Sequence, residues 1–134
     1  APDALVPGGR AAADLHAPDA LTSWLRALGA WGRDARAKEV PARAFTLPRA
    51  QVALLLNRLF ATDGWATVLA SGRPQLGLAS ASERLARQVQ HLLLRFGIVA
   101  SLRSRRVSHR GGHRVGWQLD VTDGDAIATF AREI

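Results

Sequence analysis

The chain has 134 residues, 48% of them apolar, which is enough for one folded domain with a buried core. It contains no cysteine, which excludes disulfide frameworks, thiolate zinc sites and cysteine nucleophiles, and no apolar run approaches the roughly 18 residues that cross a bilayer. The formal net charge of +7 predicts a polyanionic partner for what we expect to be a soluble protein of the cytoplasm.

The N-terminal third divides into two predicted segments. Residues 1–17 are rich in alanine, proline and glycine, which predicts a linker or frayed lead-in. Residues 18–47 begin with an apolar-periodic run that ends at Gly29, which predicts a short helix. An irregular basic stretch follows this helix and contains Lys38, the single lysine of the chain.

The third predicted segment, residues 48–134, opens with the strongest helix. Pro48 is suited to a helix start, and residues 49–62 are apolar nearly all round, so this helix is expected to be buried on most sides. The helix stops at Asp63 and Gly64. Two short strands, WATVLAS and QLGLAS, follow around a Gly-Arg-Pro turn, which is typical of a hairpin.

The same alternation of helix and hairpin is predicted once more toward the C-terminus. Ser80 or Ser82 begins a second helix, and a second hairpin is predicted from residues 98–107 and 113–121. Asp123 then opens a last helix. The order from residue 48 is therefore α-β-β-α-β-β-α, which predicts an α+β fold with a four-stranded, mainly antiparallel sheet.

The predicted strands have one apolar and one polar face. In the last strand, Val115, Trp117, Leu119 and Val121 alternate with Arg114, Gly116, Gln118 and Asp120. Such a polar face suits the major groove of DNA, where arginine reads guanine and glutamine reads adenine. The predicted DNA contacts are Arg73, Gln75, Ser101, Arg103, Arg105, Arg106, His109, Arg110, His113, Arg114 and Gln118. An ordinary solvated sheet face, with arginines supplied by a GC-rich genome, is the alternative.

Asp63 is the acid of greatest interest, because a carboxylate at the C-terminal end of a helix opposes the helix dipole. A divalent cation could compensate for this cost, and magnesium binds through one or two carboxylates together with waters and phosphate oxygens. The alternative is an Asp-Gly turn that leads into a hairpin. The residues by themselves favour the turn.

A resemblance to a known family adds to this interpretation. Residues 55–64, LLNRLFATDG, resemble the LAGLIDADG motif of dodecapeptide homing endonucleases. Residues 28–41 resemble the intein block that precedes the second such motif and holds a lysine three residues before a proline, here Lys38 and Pro41. Residues 80–98 resemble the helix that closes the family's DNA-binding hairpin, and the likeness as a whole extends over residues 21–134.

The resemblance implies roles for particular residues. Asp63, with the backbone of Gly64, would bind catalytic Mg²⁺, and Lys38 would be the active-site lysine. The helix residues Leu55, Leu56, Leu59 and Phe60 would face a second LAGLIDADG helix. For Lys38 the alternative is a surface charge beside Glu39.

The resemblance also implies a function, although the sequence departs from the family in two respects. Members of this type carry two motifs, whereas this chain matches the second one alone and lacks the splicing residues of an intein. We therefore expect an intein-encoded half-enzyme that binds double-stranded DNA and cleaves it when paired with a second half, from the same longer protein or a homodimer mate. The host of such an intein is often a DNA replication protein. A catalytically inactive DNA-binding module of this fold and a protein–protein interaction domain are the alternatives.

Overall fold

The computed structural model describes residues 36–134. The predicted lead-in at residues 1–17 and the predicted helix that ends at Gly29 lie outside the described residues. A 3₁₀ helix at Ala42–Thr46 precedes the α-helices and strands of the described part. The elements that follow are α1 (Arg49–Asp63), β1 (Gly64–Val68), β2 (Pro74–Ser80), α2 (Glu83–Leu94), β3 (Ser101–His109), β4 (Gly112–Val121) and α3 (Gly124–Glu133).

This order confirms the predicted α-β-β-α-β-β-α fold. The four strands form one sheet in the order β1-β2-β4-β3, and every neighbouring pair is antiparallel. The β1–β2 turn joins Val68 to Pro74, and the register pairs Pro74's end of β2 with the C-terminal end of β4. The β3–β4 turn is consequently at the opposite end of the sheet.

Local sequence signals set the helix ends. Pro48 is the N-cap residue of α1, Ser82 caps α2 by accepting a hydrogen bond from the Leu85 N–H, and Asp123 caps α3 in the same way. After α2, Gly97 takes a φ of 71°, and the N–H of Ile98 bonds back to the Leu93 carbonyl. Glycine is favoured in this left-handed cap because it has no Cβ atom.

The core lies between the helices and one face of the sheet. Its largest fully buried side chains are Leu55, Leu56, Leu78, Leu85, Leu92, Leu93, Ile98, Leu119, Val40, Val52 and Val89. They come from the segment before α1, from α1 and α2, from the connection between α2 and β3, and from the two central strands, so that one cluster joins all these elements. Within residues 36–134, no helix has the length and apolar character needed to cross a membrane.

The β3–β4 hairpin extends beyond the core. Its two-residue turn places Arg110 and Gly111 at φ values of 31° and 79°. These positive angles suit the twist of a tight hairpin, although a left-handed conformation is uncommon for arginine. Between residues 104 and 115 the side chains described on both faces are exposed. The end of this hairpin is therefore a ribbon open to a partner on both faces.

Candidate functional site

Asp63 is the last residue of α1, where the helix meets the sheet. Its side chain is half-buried, and Gly64 immediately begins β1. The Gly64 N–H closes the helix by bonding to the Phe60 carbonyl. The carboxylate therefore lies at the negative end of the helix dipole, at a junction fixed by both helix and strand.

The glycine after Asp63 has a different role from the predicted one of turning the backbone. Gly64 has extended dihedral angles (φ −110°, ψ 177°), which any residue can adopt. A Cβ atom on Gly64 would come within 2.7 Å of the Phe60 carbonyl oxygen and 2.8 Å of the Gly77 carbonyl oxygen. Glycine is needed here because the backbones of α1 and β2 approach closely.

The groups around Asp63 fit a magnesium ion in their chemistry. A carboxylate beside the carbonyl groups of the last helical turn offers oxygen ligands and negative potential, both of which Mg²⁺ prefers. Residues 36–134 contain no cluster of three side chains suited to binding a metal. The fit is therefore that of a partial site, in which Asp63 would supply one carboxylate and any further ligands would have to come from elsewhere.

The segment around Lys38 is held firmly against the start of α2. The Ser82 hydroxyl donates a hydrogen bond of 2.5 Å to the Lys38 carbonyl. The Gln88 amide accepts from the Val40 N–H at 2.7 Å and donates to the Val40 carbonyl at 3.1 Å. Glu39 forms an ion pair with Arg84, 3.0 Å long and exposed. These contacts fix the backbone from which the Lys38 side chain extends.

The structure brings this segment and Asp63 to the same end of β2. Gly64 is opposite Leu78 in the β1–β2 register, and the Ser80 hydroxyl accepts from the Ser82 N–H beside Lys38. Leu78 and Ser80 are two residues apart, a rise of about 7 Å along a strand. Among the described residues, the Lys38 ammonium and the Asp63 carboxylate do not form an ion pair.

We expect Ser82→Ala to destabilise the fold more than Asp123→Ala, although both remove a helix N-cap. Asp123 is exposed and caps α3, so its loss should lower the free energy of unfolding by about 1 kcal/mol. Ser82 is fully buried and also bonds to Lys38, so its loss should cost about 2 kcal/mol. Urea unfolding of both variants measures the difference. Equal losses would mean that the Lys38 contact contributes nothing.

The sheet face that points away from the helices carries most of the predicted DNA contacts. Because directly paired residues share a face, the register places Gln75, Ser101, Arg103, Arg105, Arg114 and Gln118 on this outer face, together with Asp120. The prediction of one apolar and one polar face is confirmed by the burial of Leu78, Leu119 and Val121 on the other side.

A polar network at the centre of the outer face was not predicted from the sequence. Asp120 Oδ1 accepts from the Gln75 amide at 2.9 Å and from the Gln118 amide at 2.8 Å, and Asp120 Oδ2 accepts from Arg103 Nε at 3.2 Å. The Gln118 side-chain oxygen accepts in turn from Arg105. The alternation of the last strand already put Asp120 on this face, but the bonds depend on the three-strand register.

This network gives Gln118 a structural role beside its predicted contact with DNA. The residue is 5% exposed, and both ends of its amide are engaged, by Asp120 and by Arg105. A contact between this amide and an adenine would therefore have to compete with both bonds. The geometry instead makes Gln118 a bridge between a carboxylate and an arginine.

Other predicted contacts are placed away from the outer face. By the strand register, Arg106 and His113 are on the same face of the sheet as the core residues. They lie in the projecting ribbon, however, where both are exposed. Arg73 and Arg110 are exposed in the two turns at opposite ends of the sheet. His109 pairs with Gly112 through its backbone, and its side chain lies outside the described part of the structure.

The four side chains predicted to face a second helix are placed differently. Leu55, Leu56 and Leu59 are buried in the core of this chain, and the Phe60 ring is packed against Phe130 with the centroids 4.9 Å apart. An apolar helix can bury such residues against its own sheet as well as against a partner. The exposed side of α1 consists of Arg49, Ala50, Arg58, Ala61 and Thr62.

Trp65 is a further outer-face residue that the sequence analysis did not select. It is paired with Gly77 across β1 and β2, and its ring lies where a side chain on Gly77 would be. The large apolar ring therefore covers the glycine next to Asp120, which pairs with Gly77 on the other side. A glycine opposite a tryptophan on neighbouring strands is the signal that could have revealed it.

Comparisons with known proteins agree with this geometry. The family model described as a LAGLIDADG-like domain matches residues 50–134. Replicative DNA helicase DnaB of Synechocystis sp. is 34% identical over 116 residues, which are 85% of this chain and 13% of the helicase. The DnaB of Rhodothermus marinus is also 34% identical over 116 residues, 85% of this chain and 12% of that protein.

Two further similarities extend the comparison. Protein RecA of Mycobacterium tuberculosis is 30% identical over 118 residues, which are 79% of this chain and 15% of that protein. A crystal structure of the N-terminal LAGLIDADG domain of DUF199/WhiA aligns with a TM-score of 0.49 and 19% identity, covering 66% of this chain and 40% of that one. The chain thus spans only 12–15% of the length of the three curated relatives.

Proposed function

The chain belongs to the LAGLIDADG-like domain family, and from this premise we propose that it is one half of an intein-encoded homing endonuclease. In this proposal the outer face of the sheet binds double-stranded DNA. The C-terminal end of α1 contributes one of two Mg²⁺-dependent sites that hydrolyse phosphodiester bonds. The other half comes from the same longer protein or from a second copy of this chain.

The observation that carries the proposal is the basic outer face. Arg103, Arg105 and Arg114 project from it, and the turns that hold Arg73 and Arg110 extend it at both ends. Strand β4, the longest within residues 36–134, has ten residues and a length of about 34 Å, which is close to one turn of duplex DNA. A face of this charge and length suits one half of a long DNA site.

The intein origin is supported by how the relatives match. Most of this chain aligns with a small share of two differently named proteins, DnaB and RecA. The family match identifies the aligned part as LAGLIDADG-like, and a segment that occurs within different proteins is what a mobile insertion predicts. We therefore propose a DNA replication or repair protein as the host, acting in the cytoplasm.

The proposed chemistry divides between two residues. Asp63 would hold the metal through its carboxylate, next to the Gly64 backbone, as the helix end favours. When bound, Mg²⁺ supplies a Lewis acid for the scissile phosphate and acidifies an attacking water. Lys38 would stabilise the negative charge that develops on the phosphate, from a backbone that the Ser82 hydroxyl holds against α2.

Binding and cleavage of a library of DNA duplexes test the proposal. The chain is titrated in the presence and absence of Mg²⁺, at several salt concentrations and protein concentrations. We expect affinity that falls steeply as salt rises, because phosphate contacts release counterions. Cutting that requires Mg²⁺, Asp63 and Lys38, and that increases with protein concentration as a dimer forms, would support the full proposal. Absence of salt-sensitive duplex binding would contradict it.

A catalytically inactive DNA-binding module is the second candidate. It differs from the first candidate in needing no metal site, and residues 36–134 supply Asp63 at the C-terminal end of α1 without a cluster of further metal-ligating side chains. In this case we expect the same salt-sensitive binding, with no cutting at any protein concentration. The addition of the longer protein's other LAGLIDADG half would then restore no cleavage.

A further inference from the structure

The outer face contains an acid where a DNA-binding surface would ordinarily exclude one. A carboxylate that faces the duplex repels phosphates, yet Asp120 lies at the centre of this face. Its side chain is only 9% exposed, and three donors surround it, from Gln75, Gln118 and Arg103. The acid is therefore shielded from a ligand and directed at its own neighbours.

The geometry points to Asp120 as a positioning residue that fixes two arginines for reading guanine, an inference that rests on the proposed DNA-binding function. Arg103 is held directly, through its Nε, so that its terminal nitrogens are left for a ligand. Arg105 is held indirectly, through the Gln118 amide that Asp120 orients.

The orientation of the amide follows from the carboxylate. Because an ionised carboxylate only accepts hydrogen bonds, the amide nitrogen of Gln118 must face Asp120. The amide oxygen of Gln118 is then directed away from Asp120 and accepts a hydrogen bond from Arg105. Arg105 thus depends on Asp120 without touching it, and the side chain of Arg103, 62% exposed, remains accessible to a partner.

The spacing of the two arginines specifies the ligand more closely. Arg103 and Arg105 are two residues apart on one strand and share a face, which separates them by about 6.7 Å. Successive base pairs rise by about 3.4 Å. A guanidinium fork binds O6 and N7 of guanine in the major groove. The ligand is therefore a duplex with two guanines about two base-pair steps apart.

Two readouts test this inference on the free chain and on its DNA complex. The first is the NMR relaxation of the arginine Nε–H groups in the free chain. We expect Arg103 and Arg105 to be more ordered than Arg106, which has no such partner among the described residues, and we expect Asp120→Asn to remove that difference. Asparagine leaves at most one acceptor oxygen for three donors, so at least one bond is lost.

The second readout is selection from a random duplex library. We expect the chain to select duplexes with two guanines about two base-pair steps apart. We expect Asp120→Asn to reduce the preference for these guanines over other bases by at least about fivefold. The salt dependence of binding should be unchanged, because no phosphate contact is removed. Asp125→Asn, which removes an exposed acid outside the sheet, is the charge-matched control and should change neither readout.

The outcomes separate the inference from the function on which it rests. Ordered arginines in a chain that binds no duplex would overturn the proposed function and, with it, the reading role. Duplex binding with unchanged guanine discrimination in Asp120→Asn would overturn the positioning role and leave DNA binding intact. Equal mobility of Arg103, Arg105 and Arg106 in the unaltered chain would also overturn the positioning role. A melting curve of Asp120→Asn confirms that the variant is folded when both readouts are taken.

Discussion

Asp63→Asn is expected to lower Mg²⁺-dependent DNA cleavage by roughly 10²–10³-fold, because the contribution of a bound metal to phosphodiester cleavage is several kcal/mol. The asparagine has nearly the same shape, so the end of α1 should remain intact. DNA affinity measured without divalent metal should change by no more than a few-fold, since Asp63 lies at the helix foot and not on the outer face of the sheet. The measurement is the rate of strand cleavage under single-turnover conditions.

A second readout keeps this prediction meaningful for a half-enzyme that cannot cut. Calcium binds oxygen ligands as magnesium does, so it should increase the affinity of the unaltered chain for its duplex through the Asp63 site. Asp63→Asn should abolish that increase. Asp125→Asn, an exposed acid near the start of α3, is the matched control and should preserve both cleavage and the calcium effect.

The result would decide between the two interpretations of the Asp-Gly pair. If Asp63→Asn keeps full cleavage and the full effect of calcium, Asp63 only ends α1 before β1 and has no metal role. A drop in cleavage together with a drop in metal-free DNA affinity would instead indicate a distorted junction. The predicted signature is loss of the metal-dependent part alone.

The fold could be predicted from the sequence to a large extent because its signals are local. The starts of the three helices follow from Pro48, Ser82 and Asp123, each of which is the N-cap residue in the structure. Both hairpins follow from turn residues and from alternation within the strands. The observed strand β3 begins at Ser101 rather than at the predicted Ile98, because the Ile98 N–H bonds to the Leu93 carbonyl and so belongs to the end of α2.

The candidate site was predicted less fully, because its contacts join residues far apart in sequence. Ser82 and Lys38 are 44 positions apart, and Gln75 and Asp120 are 45 apart. No local pattern contains such pairs, since the first depends on how the segment before α1 packs against α2 and the second on the register of β2 with β4. For the same reason, the apolar character of α1 did not reveal which of its leucines belong to the chain's own core.

Gly64→Ala is expected to destabilise the protein by about 2–3 kcal/mol, the upper part of the range for overpacking a tight site. The added Cβ would lie 2.7 Å from the Phe60 carbonyl oxygen and 2.8 Å from the Gly77 carbonyl oxygen. Both atoms belong to backbones held by helix and sheet hydrogen bonds, so α1 must move away from β2 to relieve the overlap. The shift of the urea unfolding midpoint, at unchanged slope, measures the loss.

Gly124→Ala provides a matched control at another glycine. No atom lies within 4 Å of a Cβ built on Gly124, and this residue is in the first turn of α3. Alanine there reduces the freedom of the unfolded chain and should be neutral or stabilising by up to about 1 kcal/mol. Equal and small effects of the two substitutions would contradict the close approach of α1 and β2.

Gly64→Ala also connects the packing of the junction between α1 and β1 with its proposed chemistry. Asp63 directly precedes Gly64, so a displacement of α1 from β2 moves its carboxylate relative to the sheet, which binds DNA in the proposed function. A misplacement of about 1 Å can lower a reaction rate roughly 10²-fold. We therefore expect Gly64→Ala, at a temperature where it is fully folded, to lose more cleavage than duplex affinity. A variant that is destabilised but cuts normally would show that this close contact serves folding alone.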